Sequence, residues 1–147
     1  MTSNLVIPCH WDLKVLEELE QQNDSLAFNG IKITDFYGAL AGEAIGNGRC
    51  PKKVKNITRE EALVFREKAA RKGFRFNYLL NSSIPLATNP GDLEVYRYLD
   101  WIVHDFNPDA LVIASRDLMS LVRKRYGDIP IHVSTIARVS SDRKSVV

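Results

Sequence analysis

A few side chains in this sequence have the type and the placement to do chemistry. His10 follows a short apolar run, Tyr37 lies near the end of another, and Asn77 and Asn81 stand in Phe74–Asn81. Ser115 and Arg116 follow the apolar run Ala110–Ala114, and Ser134 and Arg138 fall within Ile129–Val139. An imidazole titrates near neutrality, so His10 suits a general base. An amide carries both donors and an acceptor, so Asn77 and Asn81 suit the orientation of a peptide, base or sugar amide. Tyr37 and Ser134 add hydroxyl groups, and Arg138 could hold an anionic group at the mouth of a site.

Each has a plainer alternative. His10 precedes a helix and reads more readily as a cap or a satisfied polar residue. Ser115 reads as an N-cap, because no Gly-x-Ser-x-Gly elbow surrounds it. His132 reads as a satisfied residue of the core or of the closed end, and His104 as an exposed helix residue. No Ser–His–Asp set, carboxylate pair or metal-ligand spacing can be assembled. Catalytic residues are therefore unassigned and no metal ligand is named.

The elements that must position these groups alternate. Apolar runs at Asn4–Cys9, Ile31–Leu40, Phe74–Asn81, Ala110–Ala114 and Ile129–Val139 read as strands. Leu26–Phe28 also has strand character. Between them lie helix-spaced segments. The first carries Leu13, Val15, Leu16 and Leu19, capped by His10 or Asp12 and ending at Asn23-Asp24-Ser25. The second opens on the capping box Thr58-Arg59-Glu60-Glu61 and stops at Gly73. The third starts at Asp92 and ends at Asn107-Pro108-Asp109, and the fourth follows Ser115 to Tyr126-Gly127.

Within Phe74–Asn81 the period-2 alternation puts Phe74, Phe76, Tyr78 and Leu80 on one face. Arg75, Asn77, Leu79 and Asn81 share the other. The first face suits packing beneath helices. Alternating strand–helix units predict a parallel α/β sheet with right-handed crossovers. Two architectures satisfy that order: a small doubly wound sheet, or the first part of a (β/α)₈ barrel, which usually needs about 250 residues. A nucleotide-binding doubly wound domain needs a glycine turn after its first strand, where Pro8-Cys9-His10-Trp11 is a poor candidate.

At 147 residues, 45% hydrophobic and 26% charged, the chain suits one globular domain with a real core. No apolar run reaches the roughly 18 residues of a membrane span, and no basic-then-apolar leader is legible. A cytoplasmic location away from membranes is expected. A formal charge of +2 does not argue for nucleic acid. The glycines of Ala41–Asn56 lack the Gly-Lys-Ser/Thr of a phosphate loop, so that stretch reads as a mobile connection. Cys9 and Cys50 fit neither a zinc nor a disulfide framework.

The tail Asp142–Val147 reads poorly as protein. It can be encoded by GATCGGAAGAGCGTCGTG, with TAG as the codon that would follow, which is how a common sequencing adapter reads in translation when preceded by one A. The expectation is a natural chain that continues past Ser141, with 142–147 a non-native tail to be set aside. Removing it takes the formal charge from +2 to +1.

Taken in order, several pieces resemble the N-terminal half of the collagenase-like peptidase family U32. They are Pro8-Cys9-His10-Trp11-Asp12, Asp35-Phe36-Tyr37-Gly38, Gly48-Arg49, Phe76-Asn77-Tyr78-Leu79-Leu80-Asn81, Asp100-Trp101, Arg125-Tyr126-Gly127 and Val133-Ser134. The resemblance covers nearly all of Leu5–Val139 and rests on the order of these pieces. It implies a TIM-type (β/α)₈ barrel of which residues 1–141 supply about five parallel strands and four helices. It implies a peptidase-like hydrolase of unassigned catalytic type, acting on a peptide or small molecule and inactive as truncated. Some members of the family instead take part in RNA or quinone hydroxylation, which implies RNA as a further partner class and an iron–sulfur cluster in the intact protein. The cluster cysteines of those members lie further along the chain than this sequence reaches, so no cofactor is assigned within it. A non-catalytic ligand-binding barrel is the remaining reading.

Overall fold

The computed structural model describes residues 2–46, 55–81 and 93–134. Its strands are β1 (Ser3–Pro8), β2 (Ile31–Gly38), β3 (Arg75–Leu80), β4 (Ala110–Ile113) and β5 (Ile131–Val133). Its helices are α1 (Leu13–Leu26), α2 (Arg59–Arg71), α3 (Leu93–Asp100), which continues as a π-helical stretch Trp101–Phe106, and α4 (Arg116–Tyr126).

Every pairing is parallel, and the strand order is β1-β2-β3-β4-β5. A doubly wound sheet reverses its order at a switch point, and this sheet does not. Parallel strands in consecutive order, joined by crossovers of the right hand such units almost always take, keep the helices on one side and curl the sheet around the other. The result is a curled half-barrel of five strands and four helices, part of an α/β barrel.

Local chemistry sets the helix ends. The Asp12 carboxylate accepts from the Lys14 amide, the Thr58 hydroxyl from the Glu61 amide, and the Ser115 hydroxyl from the Leu118 amide. Asp12, not His10, therefore caps α1. Gly73, at φ +85°, lets the chain turn from α2 into β3 at no steric cost. Two sequence expectations need correction. Leu26–Phe28 is not strand: Leu26 ends α1, and Ala27–Asn29 forms one 3₁₀ turn closed by Gly30. The first helix also runs past Asn23-Asp24-Ser25, because Asn23 is recruited to the sheet. Its amide donates to the Ile33 carbonyl at 3.0 Å and its oxygen accepts from the Ile33 N–H at 2.8 Å. That pair of bonds sits where the β1–β2 register slips, between Leu5 and Val6.

The core lies between sheet and helices and is largely aromatic. Phe76 is fully buried, stacked on Trp11 at 5.4 Å and edge-on to Phe106 at 4.9 Å. Phe36 meets Phe65 of α2 at 5.4 Å and Phe74 at 5.3 Å. The predicted aromatic face of β3 thus packs beneath helices. Such edge-to-face contacts add to the area they bury.

Candidate functional site at the strand ends

In a barrel, side chains at the C-terminal strand ends and the loops after them form the functional face. Register shows which candidates meet. Pro8 pairs with Tyr37, Tyr37 with Asn77, and Asn77 with Ala110, so Tyr37 and Asn77 are cross-strand neighbours on the lumen face. Leu80, Ile113 and Val133 form a later row. Asn81 and Ser134 each come one residue beyond it, at one level of the mouth on either side of β4. The Ser134 N–H donates to the Ile113 carbonyl at 2.9 Å, and Ser134 is buried. His10 is exposed, two residues beyond β1. Arg138 lies outside the described residues, as do Cys50, Asp92 and the part of the expected strand Ile129–Val139 that follows Ser134.

Asn77 and Asn81 part company. The Asn77 amide donates to Asp35 Oδ2 at 3.2 Å, and Asn77 is 7% exposed. Arg75 closes on the same carboxylate, Nη2 to Oδ2 at 3.2 Å and Nε to Oδ1 at 3.4 Å. Burial raises the Asp35 pKa, but hydrogen bonds from Thr34, Arg75 and Asn77 and the Arg75 charge more than offset this and hold it below the ordinary carboxylate value. Arg75 is the first residue of β3, so this network belongs to the lower half of the lumen. Asn81, just past β3, has a buried side-chain oxygen with no partner among the described residues.

His132 corrects an expectation. It is exposed rather than a satisfied core residue, and it shares the row of Leu79 and Val112 on the lumen side. His104 is exposed, as expected.

Behind Tyr37 the segment 39–46 is held by groups that periodicity does not reveal. The Leu40 N–H donates to the Tyr78 hydroxyl at 3.2 Å, and the Tyr78 and Tyr98 hydroxyls lie 2.7 Å apart. Burial pushes Tyr78 up to about 12 and Tyr98 well above its ordinary value, so both are neutral phenols at physiological pH. Glu43 takes Arg59 in a two-point ion pair. Trp11 carries φ +58°, unusual for a bulky residue, and its ring is buried while the preceding His10 is exposed. The Trp11 indole N–H has no partner among the described residues.

Sequence reasoning missed Asp35, Glu43, Arg59 and Tyr98. Asp35 left a signal, as an acid inside an otherwise strand-like run, where a charge must find a partner. An amide at Asn81 and a hydroxyl at Ser134 stand at one level beyond the last paired row, Tyr37 is level with Asn77, and His10 follows β1; groups of these types can orient a ligand by hydrogen bonds. Among the described residues no cluster of three or more His, Cys, Asp or Glu could hold a metal ion. No helix among them is long and apolar enough to cross a membrane.

The strands and helices therefore define part of an α/β barrel. In structure the chain is similar to the U32 peptidase Mk0906, with a TM-score of 0.62 and 18% sequence identity. The match covers 95% of this chain and 51% of that one, so the chain spans about half the length of that protein. At this identity the likeness is one of fold. No protein-family model and no curated protein matches the sequence.

Proposed function

We propose that this chain is the N-terminal part of a U32-like barrel enzyme whose intact form hydrolyses peptide bonds. One observation carries the reading: five parallel strands in consecutive order superpose, over 95% of the chain, on about half of a U32 peptidase. The order of the motif pieces from Pro8 to Ser134 supports the same family. On this reading residues 1–141 are native barrel and 142–147 a non-native tail. The protein works in the cytoplasm on a peptide or small-molecule substrate. His10, Tyr37, Asn81 and Ser134 face that substrate, Asn77 stands beside Tyr37 as part of the lumen wall, and Arg138 is a further substrate-binding candidate. The 147-residue chain is inactive, because its lumen lacks the remaining strands.

The test is to express the chain extended through the natural reading frame beside the 147-residue chain. Peptides released from gelatin are then followed by mass spectrometry. Release by the extended protein alone supports the proposal. An extended protein that leaves gelatin and synthetic peptides intact contradicts it. A downstream cysteine quartet with iron–sulfur absorbance points instead to the hydroxylation branch and RNA or quinone partners. Tight ligand binding without turnover points to a non-catalytic barrel.

A further inference from the structure

We propose that segment 39–46 is a pre-set wall held by one cooperative clasp rather than by two independent contacts. The first arm is the Leu40 N–H on the Tyr78 hydroxyl, which is paired with the Tyr98 hydroxyl; both tyrosines are fully buried. The second is the Glu43 carboxylate, which accepts from Arg59 Nε at 2.8 Å and Nη2 at 2.7 Å. The arms meet on α3 and its π-helical continuation. The Arg59 guanidinium lies 5.6 Å from the Tyr98 ring centroid and 5.2 Å from that of Trp101. Those two rings are stacked, 7° from parallel.

Tyr98 therefore serves both arms, its hydroxyl paired with the Tyr78 hydroxyl that holds Leu40 and its ring toward Arg59. Glu43 holds the cation there. Releasing Glu43 frees Arg59 to leave the rings and admits water toward the hydroxyl pair, whose bonds depend on its exclusion. Ile45, 1% exposed, anchors the same segment in the core. The segment directly follows Tyr37 and Gly38, so a ligand at the mouth meets a formed wall. That consequence rests on the function proposed above; the clasp does not.

The test is hydrogen-exchange mass spectrometry with residue resolution on the 147-residue chain at low micromolar concentration. The Leu40 amide is the probe. The Leu111 amide, bonded to the Pro130 carbonyl at 2.9 Å, is the core reference. Glu43→Gln leaves Leu40, Tyr78 and Tyr98 in place, yet it should speed Leu40 exchange about tenfold and Leu111 less than about twofold. Tyr98→Phe, which keeps the ring, should do the same, and the double variant should add nothing beyond the larger single effect. An unchanged Leu40 rate in Glu43→Gln, additive effects, or equal acceleration of Leu40 and Leu111 would each overturn the clasp. An error in the barrel assignment would leave these rates as they are.

Discussion

Asn77 donates its side-chain amide to Asp35 across the β2–β3 boundary, 3.2 Å from nitrogen to oxygen. That contact divides two asparagines that look alike in the sequence. Asn77 is committed to a carboxylate within the lumen wall. Asn81, four residues nearer the mouth, keeps a side-chain oxygen without a partner among the described residues.

The first prediction follows from that division. In the extended enzyme, Asn81→Ala lowers kcat/KM at least about tenfold and leaves the urea midpoint within error. Asn77→Ala lowers the midpoint, at a cost of about 1–2 kcal/mol of stability, because it strips a donor from a buried carboxylate. Paired kinetics and urea melts of both variants check this.

Asp35 should also make stability acid-sensitive. Its pKa in the fold lies below the ordinary 3.8, so its contribution is present above that pH and fades as pH falls through the lower, folded value. The Arg75 side chain is 65% exposed, which screens its share of the pair. Asp35→Asn should cost about 1–2 kcal/mol at pH 7 and flatten the stability curve below pH 4. Denaturant midpoints measured from pH 7 down to 3 show whether it does.

The tyrosine pair works in the opposite direction. Tyr78 is raised from 10.0 to about 12, so the fold favours its protonated form. The associated stability is complete below pH 10 and is lost as pH rises toward 12. Tyr78→Phe should flatten the alkaline limb, and tyrosinate absorbance should show late-titrating phenols in the unsubstituted chain that vanish on unfolding.

Asn23 offers a sharper test of the fold. Its side chain stands in for a strand partner at Ile33, both giving and accepting a bond. Asn23→Ala should cost about 1–3 kcal/mol, and Asn23→Asp, which keeps only the acceptor, should fall between. Denaturant melts at neutral pH order the three proteins.

Core and surface phenylalanines should separate cleanly. Phe76 is 0% exposed amid an aromatic cluster, whereas Phe28 is 97% exposed on its 3₁₀ turn. Phe76→Ala should cost about 3–5 kcal/mol and Phe28→Ala less than about 0.5 kcal/mol. The same melts decide it.

Local rules carried most of the architecture. Thr58 and Ser115 cap helices, Gly73 turns the chain, and the alternation in Phe74–Asn81 puts its aromatics against helices, all as the residues imply. These features depend on neighbours a few positions apart. The site is less legible because its contacts are long-range. The Asp35–Asn77 bond spans 42 positions and the Tyr78–Tyr98 bond 20, and no periodicity encodes either. Leu26–Phe28 misled for a related reason: an apolar triplet suits a strand or a helix end, and Asn23 decides between them from outside it.

The proposal with the widest consequences is that the five described strands belong to a larger barrel. Sequencing the source DNA through the Ser141 codon and onward tests it most directly. On this proposal the frame continues past Ser141 with different codons from those of 142–147, encoding three further strand–helix units. A native stop after Val147, with residues 142–147 confirmed in the genome, would contradict it.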